Sequence, residues 1–279
     1  MAGYGSDKGE RKKREKSQEG PLISVIIPAY NCADTIEKAL DSALAQKVPL
    51  EVIVVDDGSG DGLDRVMAGY ADHPAIRYLK NEKNMGAAAS RNRGVAEAKG
   101  VYTAFLDADD WWEEGKLEKQ LALLERTGTV LCSTARELVT PEGERTGRVI
   151  PVREEITYRQ LLGGNVINCS SVLLKTEVAR EFPMCHEDSH EDYITWLRIL
   201  KKYGRACAIK EPLLKYRLTD KGKSGSKIHS AGMTYKVYRY VGFGRIRSLW
   251  YFCRYAVNGV QKYRAALKPG KTSDGSVSE

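Results

Sequence analysis

The stretch Ile23-Ser24-Val25-Ile26-Ile27-Pro28-Ala29-Tyr30-Asn31 decides how the rest of the chain is read. Residues 23–27 are a β-branched apolar run interrupted only by Ser24, as expected of a strand covered on both faces. Its end turns polar. Asp34, with Glu37 three residues on, then fits a capping box. Ile36, Ala39, Leu40, Ala43 and Leu44 follow at helical spacing. A buried strand that runs through a polar turn into an amphipathic helix is the opening unit of a layered α/β fold.

The unit recurs. A second apolar strand at 52–55 ends in Asp56-Asp57-Gly58-Ser59, and a third is expected at 76–79. Residues 87–98 read as a helix stopped by Gly100, and 102–106 as a strand ending in Asp107-Ala108-Asp109-Asp110. A helix at 117–127 and a strand at 130–133 follow. This alternation predicts a mostly parallel, Rossmann-like sheet with helices on both faces. After residue 135 the pattern loosens. Pro, Gly and charge fill 136–168 apart from a short helix near 158–162. A strand at 170–174, a helix at 191–203 and a short last strand at 213–216 are expected, then helical segments rich in Tyr and Arg.

The chain has 279 residues, 42% hydrophobic and 29% charged, which fits a globular protein and excludes a disordered or fibrous one. Its net charge of +7 is unevenly spread. Residues 1–20 carry +2, residues 221–273 hold twelve basic residues and no acidic one, and 21–220 come to −5. We therefore expect a disordered basic leader at 1–20, a catalytic body at 21–220, a basic helical extension at 221–265 and a disordered tail at 266–279. An acidic body argues against nucleic acid as the partner. The six cysteines form no close pair, so neither a zinc ribbon nor a redox dithiol is expected, and scattered thiols suit a reducing compartment. They read as small buried hydrophobes. The charged run at 11–16 stands where a signal peptide would be apolar, and no stretch is apolar enough to span a bilayer.

Open sheets bind ligands outside the carboxyl ends of their strands. Three such ends here are polar: Pro28-Ala29-Tyr30-Asn31, Asp56-Asp57, and Asp107-Ala108-Asp109. Clustered carboxylates repel unless a cation or donors lie between them. Oxygen ligands without histidine point to Mg²⁺ or Mn²⁺, held by one or two carboxylates and completed by substrate phosphates. A dinucleotide fingerprint and a phosphate loop are both missing, which excludes nicotinamide and ATP readings on those motifs.

Five segments, in order, resemble glycosyltransferase family 2, of the GT-A fold. They are Ser24–Asn31, Val54-Val55-Asp56-Asp57-Gly58-Ser59, Asn84-Met85-Gly86 through Arg91-Asn92, Phe105-Leu106-Asp107-Ala108-Asp109-Asp110, and His190-Glu191-Asp192-Tyr193 through Arg198. The resemblance spans about residues 22–217. It implies an inverting, nucleotide-sugar-dependent transferase. Pro28, Ala29, Tyr30 and Asp57 would cradle the donor base, usually uracil. Gly86 and Arg91 would line the nucleotide pocket, with a structural ion pair as the other reading of Arg91. Asp107, with Ala108, would approach ribose or sugar. Asp109, with Asp107, would hold the divalent metal. Asp192 would be the catalytic base and Glu191 its support. The helix start at Asp192 is expected to favour the anionic carboxylate. The acceptor would be a growing glycan, lipid-linked, in surface or capsular polysaccharide synthesis. A sugar-nucleotide nucleotidyltransferase and a non-catalytic module are the alternatives. The stretch Pro28 to Ala33 lacks the Gly-rich basic signature of the first, and three intact acids weigh against the second.

The basic extension supplies a further expectation. Arg217, Lys221, Lys223 and Lys227 crowd a Gly/Ser loop that would close over the diphosphate, if it is more than a solvated loop. Ile246, Leu249, Trp250, Cys253, Ala256, Val257 and Val260 fall at helical spacing among Arg245, Arg247 and Arg254. A basic amphipathic helix with aromatics reads as contact with an anionic membrane surface, here the inner face of the plasma membrane. Packing on the body or on a second subunit is the other reading, so self-association stays open. Trp111 and Trp112 read either as flanks of the acceptor or as packing, and His186, Asp188 and His190 as a polar loop.

Overall fold

The structure is a computed structural model and describes residues 22–218 and 227–266, with side chains for 22–218 and 230–259. In chain order the first half contains β1 (Ile23–Ala29), α1 (Ile36–Leu44), β2 (Leu50–Asp56), α2 (Leu63–Ala68), β3 (Ile76–Lys80), α3 (Ala87–Glu97) and β4 (Tyr102–Phe105). The short β5 (Trp111–Trp112) and α4 (Lys116–Thr127) follow. The second half contains β6 (Leu131–Val139), β7 (Arg145–Ile150), β8 (Glu155–Thr157), α5 (Tyr158–Leu161), β9 (Leu173–Lys175), α6 (Thr176–Glu181) and α7 (Glu191–Tyr203). Strand β10 (Arg205–Arg217) and helices α8 (Lys227–Tyr240) and α9 (Arg245–Ala266) complete it.

These strands form one mixed sheet of ten, ordered β3-β2-β1-β4-β9-β6-β10-β5, with β7 on β6 and β8 on β10. The three strands expected to carry the site, β1, β2 and β4, run parallel, as does β3 beside β2. Antiparallel pairings enter with β9, which joins β4 to β6. The sheet is buried on both sides, as the unbroken apolar run of β1 requires. Ile26, Ile53, Val55 and Phe105 face a core closed by α3, α6, α7 and α8. Val25, Ile27, Val52 and Val54 face a second core under α1, α2 and α4. Two glycines let the chain close on β1. A side chain at Gly94 in α3 would run into Ile26, and one at Gly100 would meet the Ser24 backbone nitrogen at 2.6 Å.

Several expected elements need correction. Helix α1 is capped at Thr35 without a side-chain hydrogen bond, so Asp34 and Glu37 form no capping box. The amides of Thr35 and Ile36 instead both donate to the Cys32 carbonyl. Residues 136–168 contain the end of β6 and all of β7 and β8. The expected strand at 170–174 begins as a 3₁₀ turn, Cys169–Ser171. The short last strand is one end of the 13-residue β10. Cys253 is exposed and Cys185 half-buried, while the other four cysteines are buried. Among the described residues no helix is long and apolar enough to cross a membrane.

Candidate functional site

At the carboxyl ends of β1 and β2, hydrogen bonds lace two loops together. The Asn31 amide donates to Ser59 Oγ (3.0 Å), the Gly60 amide to Asn31 Oδ1 (2.9 Å), and the Asp57 amide to the Ala29 carbonyl (2.8 Å). Asn31 takes a positive φ of 48°, which Asn tolerates better than most residues. Asp56 points inward and is fully buried. Burial alone would raise its carboxyl, but hydrogen bonds from Tyr78 (2.6 Å) and Ser59 hold it below the usual range.

Asp57 is buried and accepts from Asn81 Nδ2 (2.7 Å) and from the amides of Met85 (2.9 Å) and Gly86 (2.7 Å). It therefore fixes the loop that leads into α3. Gly86 caps that helix with φ +92°, a conformation that favours glycine. Tyr30 and Met85, 52% and 56% exposed, are large apolar side chains left uncovered at this end. Pro28 is half-buried beside them, whereas Ala29 packs into the core. Tyr30, Met85 and Pro28 offer surfaces on which a planar base could stack. Met85 was not singled out in the sequence, where a lone methionine carries no signal.

The centre of the site is Arg91. It is buried on α3, and its guanidinium bridges Asp107 (Nη2–Oδ1 2.6 Å) and Glu191 (Nη1–Oε1 3.1 Å). Burial would lower the arginine, but the charges of Asp107 and Glu191 hold it well above its usual range. Of the two readings open for Arg91, the geometry is that of an ion pair joining the end of β4 to the start of α7. Next to Glu191, Asp192 is pushed up to about 6 by burial and by the Glu191 charge, with His190, Arg91 and the Tyr193 amide pulling the other way. The helix start alone does not hold this acid at its usual value: one amide (Tyr193 N to Oδ1, 2.7 Å) does not offset the loss of water, which makes the carboxylate more basic.

The loop after β4 places the remaining acids. The Asp107 amide donates to Ser170 Oγ at 3.1 Å. Asp109 is pushed up to about 6 by burial and the neighbouring Asp107 charge, partly offset by Arg217 and Arg91. Asp110 is buried, raised well above its usual range by burial and by both neighbours, and its Oδ2 has no hydrogen-bond partner among the described residues. Its Oδ1 accepts the Arg217 amide (2.9 Å), which ties the end of β10 to this loop. Ala108 packs its side chain into the core, so it can meet a ligand only through its backbone.

Among the described residues no group of three or more His, Cys, Asp or Glu converges as a ready metal cage. The donor set still fits a hard divalent ion. Asp109 lies beside Asp107 with too little positive charge to neutralise both, and a Mg²⁺ or Mn²⁺ that keeps water or phosphate ligands needs only one or two carboxylates. Asp107 already spends one oxygen on Arg91, which leaves Asp109 the freer ligand.

The loop before α7 is held by α8. Asp188 accepts from Lys236 Nζ and Tyr240 Oη, both at 2.8 Å, and His186 stacks on Tyr240 with ring centres 3.7 Å apart. The side chain of Glu187 accepts from the Ala88 amide at the start of α3. Glu187 is thus a second carboxylate at that helix end, and no sequence spacing signals it. The expected closing loop with Lys221 and Lys223 lies outside the described residues, as does the side chain of Lys227.

A family model described as glycosyl transferase family 2 matches residues 24–175. A putative teichuronic acid biosynthesis glycosyltransferase of Bacillus subtilis is 36% identical over 87% of this chain and 97% of its own length. A UDP-Glc:alpha-D-GlcNAc-diphosphoundecaprenol beta-1,3-glucosyltransferase of Escherichia coli is 31% identical over 90% of this chain and 98% of its own. A mannosyltransferase of Pyrobaculum calidifontis, solved with GDP-Man and Mn²⁺, superposes with a TM-score of 0.66 at 20% identity, covering 92% of this chain and 79% of its own. That last likeness bears on the fold, which is of the GT-A kind.

Proposed function

The chain belongs to glycosyl transferase family 2, and from that footing we propose that it transfers a sugar, with inversion, from a UDP-linked donor to a lipid-linked glycan in surface polysaccharide synthesis. The observation that carries the reading is the array Asp107–Arg91–Glu191, in which the buried Arg91 guanidinium joins the donor rim to the helix that bears Asp192. Inversion by single displacement needs one base and no protein nucleophile, and this array offers one base. The relative of E. coli, named for a UDP-Glc donor and a diphosphoundecaprenol acceptor, supports the donor and the acceptor class. The teichuronic acid relative supports the setting.

In this mechanism Pro28, Tyr30 and Met85 hold the base, and Asp57 keeps the Met85–Gly86 loop in place. Asp109, with Asp107 beside it, would hold Mn²⁺ or Mg²⁺, which supplies Lewis-acid stabilisation of the departing diphosphate. Asp192 accepts the proton of the acceptor hydroxyl, and a value near 6 leaves it ionised yet basic enough at neutral pH. Glu191, clamped by Arg91, orients α7. The exposed apolar stripe on α9 supports peripheral contact with the cytoplasmic face of an anionic membrane, where a lipid-linked acceptor resides.

A donor panel that reads nucleoside diphosphate release, with divalent metal present and then chelated, tests the reading. UDP release is expected to dominate and to fall on chelation. Asp192→Asn is expected to lower kcat by about a hundred- to ten-thousand-fold while UDP still binds. Full activity in Asp192→Asn, or turnover only with donors other than UDP-sugars, would refute the assignment.

A further inference from the structure

Beside the Asp109 loop lies a cluster to which the mechanism above gives no role. Trp111 on β5 carries the Lys38 ammonium of α1 at 3.4 Å from its ring centre and the Arg217 guanidinium of β10 at 5.4 Å. Both cations converge on Gly143, in the turn between β6 and β7. A methyl group there would lie 3.3 Å from Arg217 Nη1 and 3.6 Å from Lys38 Nζ. Neither cation forms an ion pair with a carboxylate among the described residues. Arg217 is anchored through Nε to the Asp109 carbonyl (2.9 Å) and through Nη1 to the Pro141 carbonyl, both neutral acceptors. Partial burial and the nearby Arg217 lower the Lys38 ammonium, as expected of two like charges held close together.

Two convergent cations on a rigid aromatic platform, over a residue without a side chain, make a niche for an oxyanion. The niche is next to the carboxylate that would carry the metal. We propose that Lys38 and Arg217, on either side of Trp111, form a subsite for a diphosphate group. The proposal rests on the transferase reading, in which two diphosphates meet at this site: that of the nucleotide leaving group and that of a lipid-linked acceptor. Arg217 is fixed by carbonyls and supplies a placed charge. Lys38 is the movable partner that closes on the ligand.

Inorganic pyrophosphate, titrated calorimetrically into the full-length protein with chelator present, isolates the subsite from metal and from catalysis. The wild-type chain is expected to bind with an affinity that weakens as salt rises. Lys38→Gln should lower that affinity about tenfold, the order expected for one charge-assisted hydrogen bond. Lys38→Arg should restore most of it, and Lys175→Gln, on the far end of β9, should leave it unchanged. The same variant separates the two sources. A parallel loss of UDP affinity assigns the subsite to the donor. An increased KM for a diphosphate-lipid acceptor with UDP affinity intact assigns it to the acceptor. Pyrophosphate binding that is absent in the wild type, or equal in Lys38→Gln, overturns the proposal. Because the titration needs no turnover, that result is distinct from a failure of the transferase reading.

Discussion

At the residue scale, the pairing of Glu191 with Asp192 has a measurable consequence. Asp192 works as a base only when unprotonated, and burial together with the Glu191 charge raises it to about 6. The value of kcat/KM should therefore fall as pH drops through about 6, because the protonated acid cannot accept the acceptor proton. Glu191→Gln removes one cause of the rise, so the acid limb of the profile should move to lower pH. A limb that stays in place would separate Asp192 from the profile. Much of this site was legible in the sequence, since Asp57, Asp107, Asp109, Glu191 and Asp192 all stand at element ends. What each acid touches was not. Asp57 is spent on loop amides and Arg91 on two carboxylates, because a buried charge must find partners across the fold that spacing does not reveal.

At the element scale, the first half of the sheet was readable because each strand there is short, apolar and closed by a polar turn. The second half was not, for reasons visible in two strands. Strand β7 alternates exposed and half-buried residues at the sheet edge, with Gly147 at φ +67°, so it lacks the apolar face that marks a strand. Strand β10 shifts register between Ile209 and Leu214, and the intervening Lys210-Glu211-Pro212 reads as a break when it is a bulge. Helix α3 offers the sharpest test of how closely the layers fit. Replacing Gly94 by alanine favours the isolated helix by about 1 kcal/mol. The new methyl would enter the space of Ile26 on β1, an overpacking that costs about 1–3 kcal/mol. Gly94→Ala is expected to lower stability in denaturant melts, and Ile26→Val to recover part of the loss in the double variant. A Gly94→Ala protein more stable than wild type would show that α3 can lift off the strand.

At the scale of the whole molecule, the uneven charge noted in the sequence acquires a shape. Helix α9 turns Tyr251, Phe252 and Tyr255 toward the core and α8. The apolar residues at helical spacing are the ones left outside. Ile246 is 89% exposed, Leu249, Trp250 and Val257 are more than half exposed, and Arg245, Arg247 and Arg254 are exposed among them. The side chain of Val260 lies outside the described residues. The helix is therefore apolar on both sides, and body packing accounts for only one. Burying an outer Ile or Trp in an interface is worth about 1.5–3 kcal/mol, and each basic residue near an anionic surface adds about 1 kcal/mol. Neither contribution reaches the sheet, so variants of the outer stripe should fold normally. The wild-type protein is expected to co-sediment with vesicles rich in anionic lipid and far less with neutral ones, with recovery falling as salt rises. The double variant Ile246→Asp, Trp250→Asp should lose at least about tenfold in partitioning at unchanged Tm. Equal recovery on neutral and anionic vesicles would defeat the electrostatic part of the argument. Unchanged binding of the double variant would defeat the apolar part and leave the stripe to a second copy of the chain, which sedimentation of the protein alone would reveal.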